Sequence, residues 1–315
     1  MRESMSAFPN RREFLRAAAL TGAGLSLSQR LLAATSKSIL VFTKSSGFEH
    51  EVVKRINGKP SIVDDTLNEL GNKHGYKVSV TKDGRIFESK EFHSYAAAVF
   101  FTTGDLTMLG TDGKPPMTPQ GKLALLNAVK GGMGFVGVHA ASDTFHTPPD
   151  LEDRSNRYIA HGEQSDPYLR MLGGEFITHG SEPRLQTANL IVNDSKFPGL
   201  EGVTSPVSFK EEWYSLKDFT PDLHVILTLD TQGMKGECYQ RAPYPVTWAR
   251  QHGKGRVFYT AMGDRPENWK DEFFLKVLDG GICWAASDAE AQLDVNLKQV
   301  APGYAEIPPK SPTAK

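Results

Sequence analysis

The stretch Met133-Gly134-Phe135-Val136-Gly137-Val138-His139-Ala140-Ala141-Ser142-Asp143-Thr144 decides the fold class of this chain. Residues 134–138 are apolar, partly β-branched and bounded by glycines, a pattern that predicts a buried strand. The apolar run stops abruptly at His139, which small and polar residues follow. Ligands of open α/β sheets bind just outside the carboxyl ends of parallel strands, so we expect His139 to lie where chemistry can occur.

The flanking sequence predicts further strands and helices of an α/β protein. In the first half, strands are predicted over 38–43, 76–80 and 96–101, with helices over about 61–75 and 118–129. This alternation favours a parallel sheet with crossover connections. In the second half, strands over 188–192, 207–209, 224–229, 245–249 and 256–260 have few helices between them, which indicates antiparallel additions to the sheet.

Two more helices and a tail complete the predicted organisation. A short helix is predicted over 166–172, and a last helix over about 271–286 has enough apolar residues to cover a sheet face. From Ala301 onward the chain is rich in proline and lacks an apolar period, so we expect residues 301–315 to be an extended or disordered tail. Residues 35–300 are predicted to form one domain.

Composition excludes several classes of protein. The 315 residues carry a net charge of −1, with 36 basic and 37 acidic side chains and no basic run, so nucleic acid is not an expected partner. No stretch of the mature chain is long and apolar enough to span a membrane. The two cysteines, Cys238 and Cys283, form no Cys-x-x-Cys motif, which excludes a thiol redox motif and a cysteine zinc site. Two unpaired structural thiols are favoured over a disulfide.

Residues 1–34 predict a twin-arginine export signal. Arg11 and Arg12 precede Phe14 and Leu15, and a moderately apolar run rich in glycine and alanine follows. An ordinary basic amphipathic helix is the competing interpretation, which the Arg-Arg-x-Phe-Leu order disfavours. We therefore expect a periplasmic or secreted protein. The twin-arginine route carries folded proteins, often with a cofactor inserted, so it favours a bound metal.

Polar segments follow several of the predicted strands. A lone histidine at the end of a strand usually has only a structural role, such as a hydrogen bond to a nearby carbonyl. His139 is not alone, because other predicted strand ends also carry polar clusters. The segments are 47–50, 102–105, 139–143, 211–214 and 263–265. Strands one and three flank the switch point of a flavodoxin-like order, so His50 and Asp105 are expected to face the same crevice as His139.

The segment Glu211-Glu212-Trp213-Tyr214 resembles a carboxylate beside a platform on which a sugar ring stacks. Adjacent strand residues point to opposite faces, so only one of the two glutamates can face the crevice, and we favour Glu212. The other is expected to be solvated or hydrogen-bonded. For His146, His161 and His179, a surface or capping role is at least as compatible with the sequence as a functional one.

Five segments, in this order, resemble the trehalose-utilisation (ThuA-like) family. They are Thr43-Lys44-Ser45-Ser46-Gly47-Phe48-Glu49-His50, residues 137–144, residues 172–176 with His179, residues 211–214, and residues 245–248 through 253–260. The resemblance spans nearly all of residues 38–286. It implies a flavodoxin-like three-layer sandwich, similar to class I glutamine amidotransferases. Where those enzymes carry a nucleophilic cysteine this chain has His139, so a cysteine thioester mechanism is not available.

The sequence departs from the family pattern in two places. Family members commonly have Gly-His where this chain has Gly263-Asp264. A metal or proton-transfer role that this histidine has in the family is therefore not expected here in the same form, although Asp264 can still ligate a metal. The segment 145–167 is longer than the usual link, which implies a different substrate rim.

The resemblance implies an exported hydrolase, lyase or isomerase that acts by acid/base chemistry on glycosides or disaccharides, in particular ones oxidised to their 3-keto form. Elimination from such a substrate needs a base, an acid and a group that stabilises an enolate. The roles we assign are base or metal ligand for His139, acid or metal ligand for Glu212, orientation of the histidine for Asp143, and substrate contact or metal ligation for His50. Further expected substrate contacts are Phe48, Asp105, Trp213, Tyr214, His179 and Asp264.

A divalent metal such as zinc is a candidate cofactor, with His50, His139 and Glu212 as ligands and an open fourth position. Two other functions stay open. One is a carbohydrate-binding domain without catalysis, in which Trp213, Tyr214 and Phe48 stack on the sugar and the histidines only donate hydrogen bonds. The weaker one is an oxidoreductase, since no Gly-x-Gly-x-x-Gly follows the first strand and no nucleotide cofactor is expected.

Overall fold

Eleven strands organise the computed structural model, which describes residues 36–310. Nine of them form one sheet in the order β2-β1-β3-β4-β11-β10-β9-β6-β7, and β5 pairs with β8 in a small second sheet. In chain order the strands are β1 Ser38–Phe42, β2 Lys77–Thr81, β3 Tyr95–Phe100, β4 Gly134–Val138, β5 Glu175–His179, β6 Gln186–Val192, β7 Val207–Glu211, β8 Tyr214–Lys217, β9 His224–Asp230, β10 Tyr244–His252 and β11 Gly255–Thr260.

The two halves of the large sheet differ in strand direction, as the sequence predicts. The five strands β2, β1, β3, β4 and β11 are parallel to one another. Beyond them, β10, β9, β6 and β7 pair in antiparallel fashion. The chain runs from β1 outward to β2 and then returns to β3 on the other side of β1, so the switch point lies between β1 and β3. The predicted mostly parallel α/β fold is confirmed.

Helices cover both faces of the sheet and make three layers. The glycines of β4 show the arrangement, because a Cβ on Gly134 would meet Ala285 of the last long helix, whereas a Cβ on Gly137 would meet Leu172. Residues three apart on a strand point to opposite faces. The helices are α1 Ile62–His74, α2 Pro119–Gly131, α3 Pro148–Glu152, α4 Pro167–Leu172, α5 Glu272–Ala285 and α6 Leu297–Val300.

Local signals set the ends of the long helices. Ser61 caps α1 and forms a capping box with Asp64, and Gly75 ends the helix in the left-handed conformation. Thr118 caps α2, with Pro119 at the first helical position. The sequence predicts these helices to within a few residues because their caps are short-range chemistry.

The small sheet differs from expectation. The sequence predicts no strand at β5 or β8, because their residues mix charged and apolar side chains without a clear alternation. Residues 301–310 form no helix or strand and pack on the domain: Ala301 is buried, and Arg241 donates to the carbonyl of Tyr304 at 3.2 Å. The amide of Ala242 also donates to Glu306, at 2.9 Å.

The predicted export signal, residues 1–34, and the last five residues of the tail lie outside the described residues. Within the described part of the chain, no helix has the length and apolarity needed to cross a membrane. Both cysteines are free and buried.

The loops after β1 and β3 meet closely at the switch point, and this contact depends on Gly104. Its φ is +72°, and an added Cβ would lie 2.7 Å from the amide nitrogen of Gly47. We predict that Gly104→Ala costs about 1–2 kcal/mol for the left-handed backbone and a further cost of about 1–3 kcal/mol for overpacking. Urea denaturation measures the sum of the two costs as a decrease in the free energy of unfolding.

Gly58→Ala is the matched control for this prediction. Gly58 has a similar φ of +74°, but an added Cβ would meet nothing within 4 Å. Gly58→Ala should therefore lose only the stability that the left-handed backbone costs, without the overpacking cost. Equal losses of stability in the two variants would contradict the close contact of the two loops.

Candidate functional site

His139 occupies a strained turn directly after β4. Its φ is +44°, unusual for a residue with a side chain, and the residue is fully buried. The ring nitrogen Nδ1 lies 2.7 Å from the carbonyl oxygen of Ala261. A carbonyl oxygen only accepts, so Nδ1 donates and the neutral ring has no proton on Nε2. Nε2 has no hydrogen-bond partner among the described residues.

The partner that orients His139 is therefore Ala261, and not Asp143 as the sequence suggested. The carboxylate of Asp143 belongs to a different set of contacts: Oδ1 lies 2.7 Å from Nε2 of His146 and 3.5 Å from Nη1 of Arg157. Asp143 Oδ2 has no protein hydrogen-bond partner within residues 36–310, and the side chain faces the cleft.

Four buried side chains face one another below the cleft. His139 Nε2 lies 3.7 Å from Glu212 Oε2, and His50 Nε2 lies 3.9 Å from Asp264 Oδ1. Each distance is too long for a direct hydrogen bond. One ligand-type atom from each of the four residues lies within 4.8 Å of all the others. The cluster of His50, His139, Glu212 and Asp264, here called the buried cluster, contains every metal ligand suggested by the sequence.

Arg184 closes the outer side of the buried cluster. Its Nη1 donates to Glu212 Oε1 at 2.6 Å and lies 3.4 Å from Asp264 Oδ2. The arginine thus contacts the carboxylate oxygens that do not face the histidines. No sequence pattern points to Arg184, because it lies in a loop between β5 and β6 without a motif.

The two adjacent glutamates have different roles, as expected. Glu211 ends β7 and is fully buried. Its carboxylate accepts hydrogen bonds from the amide of Gly263 at 2.7 Å and from Asn268 Nδ2 at 2.6 Å. Glu211 therefore holds the loop that carries Asp264, while Glu212 reaches the buried cluster.

The aromatic residues contribute unequally. Trp213 is not the predicted sugar platform, because it is fully buried and its indole N–H donates to the carbonyl of Gln186 at 3.1 Å. Tyr214 lines the cleft, with its ring centroid 4.1 Å from that of His139 and its hydroxyl 3.3 Å from Nε2 of His50. Phe48 is 69% exposed at the rim.

Asp105 and His179 line the same cleft but also make local contacts. Asp105 Oδ1 accepts hydrogen bonds from the amide and the hydroxyl of Thr107, so the Asp105 carboxylate caps the turn that follows it. His179 Nδ1 donates to the carbonyl of Gly180 at 2.9 Å and lies 3.6 Å from Glu212 Oε1.

The cleft has a volume of about 1090 Å³ and is open to solvent on one side. This volume accommodates a ligand of disaccharide size. The cleft is lined by all but two of the predicted site residues. The exceptions are His139, which lies beneath the floor of the cleft, and Trp213, which lies in the core. The predicted residues that line it are Phe48, His50, Asp105, Asp143, His179, Glu212, Tyr214 and Asp264.

The charges at the cleft floor shift the pKa values of the cluster in opposite directions. Burial alone would lower the pKa of His139, but Glu212, Glu211 and Asp264 outweigh it and raise the pKa to about 9. Burial would raise the pKa of Glu212, yet His139, His179 and Arg184 lower it to about 2. Burial and the neighbouring His139 lower the pKa of His50 to about 3. At neutral pH, without a metal ion, His139 therefore carries a proton on each ring nitrogen.

A second buried group of charges secures the long segment 145–167. Lys217 Nζ lies 2.8 Å from Asp150 Oδ2 and 3.8 Å from Glu175 Oε2, and all three side chains are inaccessible to solvent. His161 Nε2 lies 2.7 Å from Asp150 Oδ1. The amide of Thr147 donates to Glu175 at 3.0 Å. His146 Nδ1 lies 3.6 Å from Glu175 Oε1 of β5, and His161 contacts the Asp150 carboxylate that pairs with Lys217 of β8.

Fold and site together define an open α/β protein whose polar cleft lies at the switch point of the sheet. The family model for trehalose utilisation (ThuA) matches residues 38–285. This chain belongs to that family, which is associated with carbohydrate utilisation. No curated protein matches the chain.

Two solved structures show the same fold. A protein described as ThuA-like from Bacteroides uniformis has a TM-score of 0.57 and 17% identity, over 80% of this chain and 93% of that chain. A ThuA-like protein from Parabacteroides merdae has a TM-score of 0.50 and 18% identity, over 82% of this chain and 92% of that chain. At this level of identity, the similarity is one of fold.

The buried charges around segment 145–167 predict a dependence of stability on pH. Burial would raise the pKa of Glu175, but His146, Lys217 and Thr147 lower it to about 2 from 4.5. The carboxylate therefore stabilises the folded state above about pH 4.5, and this contribution is lost as the pH falls towards 2, by up to about 1.4 kcal/mol per pH unit. Glu175→Gln lacks the contribution.

Denaturation of wild type and Glu175→Gln at several pH values between 7 and 2.5 measures this effect. The variant should be less stable at pH 7, and the difference should shrink below pH 4.5. A stability difference that is independent of pH would show that the carboxylate is not stabilised by these partners.

Proposed function

We propose that this protein is an exported enzyme that cleaves glycosides or disaccharides carrying a 3-keto group, by elimination or hydrolysis. One observation carries the proposal: the open oxygen of Asp143 and the buried cluster face one cleft of disaccharide size. Titratable groups with perturbed pKa values that converge on a cleft are typical of catalytic sites. The carbohydrate association of the family supports a sugar as the substrate.

The chemistry requires a base and a group that stabilises negative charge. A ketone at C3 acidifies the C2 hydrogen, so a base removes that proton and the electron pair moves to the carbonyl oxygen as an enolate. When the enolate re-forms the ketone, the C1–O bond breaks and the leaving oxygen takes up a proton. The products are an unsaturated keto sugar and an alcohol, without net gain or loss of protons or electrons. Addition of water to the unsaturated sugar completes a hydrolysis.

Asp143 is the group best placed to remove the proton. Oδ1 is fixed by His146 and Arg157, which leaves Oδ2 open towards the cleft. This replaces the orienting role expected from the sequence with direct contact to the substrate. For His139 and Glu212, the geometry favours the role of metal ligand over that of base or acid, because His139 lies beneath the floor of the cleft. Phe48 provides exposed aromatic surface against which a sugar ring can pack, whereas Tyr214 lines the cleft but is buried.

Asp143→Asn should lower kcat by about 10²- to 10⁴-fold with little change in KM, because it removes the base but keeps the side-chain volume. Proton NMR of a panel of disaccharides, each native and in its 3-keto form, measures turnover and exchange of the C2 hydrogen with deuterated water. The variant should lose both.

Asp153→Asn is the control for this change, since Asp153 caps an exposed turn of the same segment. It should retain wild-type rates. Binding of sugars without turnover by wild-type protein would contradict the enzyme and favour the carbohydrate-binding domain, which the exposed Phe48 also suits.

Export is part of the same proposal, and it rests on the sequence of residues 1–34. The double variant Arg11→Lys, Arg12→Lys should leave the protein in the cytoplasm, as measured by cell fractionation. Unchanged export of this variant would contradict the twin-arginine route.

A further inference from the structure

Each carboxylate of the buried cluster divides its two oxygens between different partners. Glu212 presents Oε1 to Arg184 and Oε2 to His139, whereas Asp264 presents Oδ2 to Arg184 and Oδ1 to His50. The arginine thus stabilises both carboxylates from outside. Two carboxylate oxygens and two imidazole nitrogens are left facing one another on the inner side.

These inner atoms are spaced as ligands of one ion. The distances of 3.7 Å and 3.9 Å exceed those of hydrogen bonds. Ligand atoms at about 2.0–2.2 Å from a tetrahedral zinc ion are roughly 3.4 Å apart. Since all four atoms lie within 4.8 Å of one another, movements of less than about 1 Å would bring them to bonding distance of one ion.

The protonation pattern leads to the same conclusion. His139 donates from Nδ1 to the Ala261 carbonyl, so its Nε2 is the nitrogen that faces the carboxylate of Glu212. Either a proton on Nε2 or a metal ion can neutralise this pair, and the 3.7 Å between the two atoms is too long for the hydrogen bond that a proton would make. Metal-binding histidines are usually fixed by a hydrogen bond from the second nitrogen, as here from Nδ1.

We infer that His50, His139, Glu212 and Asp264 bind one divalent transition-metal ion, with zinc as the ion that best suits two nitrogen and two oxygen ligands. Asp264 adds a fourth ligand to the three suggested by the sequence. Arg184 and the Ala261 carbonyl position the ligands without contacting the ion.

The other clusters of ligand-type residues are less suited to an ion. At His146, Asp150 and Glu175, the ammonium group of Lys217 already supplies the positive charge. The trio His74, Asp279 and Cys283 lies at the surface between α1 and α5, where Lys73 pairs with Asp279 at 2.6 Å. This surface trio is nevertheless the main competitor for added zinc, because it includes a thiol.

The catalytic meaning of the ion rests on the proposed function. An enolate oxygen that develops above the cleft floor would otherwise face Glu212 and Asp264, two carboxylates that repel it. A divalent cation held there would stabilise the enolate instead.

Titration of the full chain with zinc tests the inference. After treatment with a chelator, wild-type protein should bind one equivalent of zinc, as measured by calorimetry and elemental analysis. Asp264→Asn and His50→Gln should each weaken binding at least about 100-fold, since each removes a direct ligand. Asp279→Asn, in the surface trio, should bind zinc as wild type does. Failure of wild type to bind zinc, or loss of binding only in Asp279→Asn, would overturn the site.

A cobalt spectrum of wild-type protein keeps the test decisive if the ligand variants do not fold. Cobalt in the buried cluster should give ligand-field bands without a thiolate charge-transfer band, whereas binding at the surface trio should give that band.

The metal site and the proposed function can fail separately. Zinc binding without turnover of any keto glycoside would leave the metal site and remove the function. Turnover of a keto glycoside by protein that binds no zinc would leave the function and remove the metal site.

Discussion

The structure depends on how it stabilises carboxylates that are buried at one edge of a sheet. Removing an ionised carboxylate from water is costly unless hydrogen-bond donors or a cation replace the water. Glu211 meets this requirement with the amide of Gly263 and the side chain of Asn268. Glu212 and Asp264 have Arg184 on one side only. Their remaining oxygens and two imidazoles define the chemistry of the cleft floor.

The parts of this architecture that sequence predicts are those with local causes. Strand β4 is apolar and ends at a histidine, and α1 begins at a serine and ends at a glycine. The parallel sheet follows from the alternation of such elements. Because the carboxyl ends of parallel strands share one edge, polar residues after β1 and β4 could be placed in one crevice without knowledge of their contacts.

The parts that sequence does not predict depend on distant contacts. Arg184 acts on Glu212 from a loop between β5 and β6, and Lys217 neutralises carboxylates contributed by Asp150 and Glu175. Neither basic residue has a local pattern that distinguishes it from a solvated one. Trp213 shows the same difficulty, since its aromatic ring suggested a sugar platform, but the turn between β7 and β8 directs it into the core. The orientation of His139 by a backbone carbonyl 122 residues away is equally invisible in the sequence.

Among the side chains of residues 36–310, the buried cluster is the group that we infer to hold a divalent cation. X-ray absorption spectroscopy at the zinc edge, on protein loaded with one equivalent of zinc, identifies the atoms bound to the ion. Binding in the buried cluster should give a first shell of nitrogen and oxygen atoms near 2.0–2.1 Å, roughly as in other zinc sites, with outer-shell scattering from two imidazoles and no sulfur. A sulfur neighbour at about 2.3 Å would instead place the ion at Cys283 and rule out the buried cluster as its site.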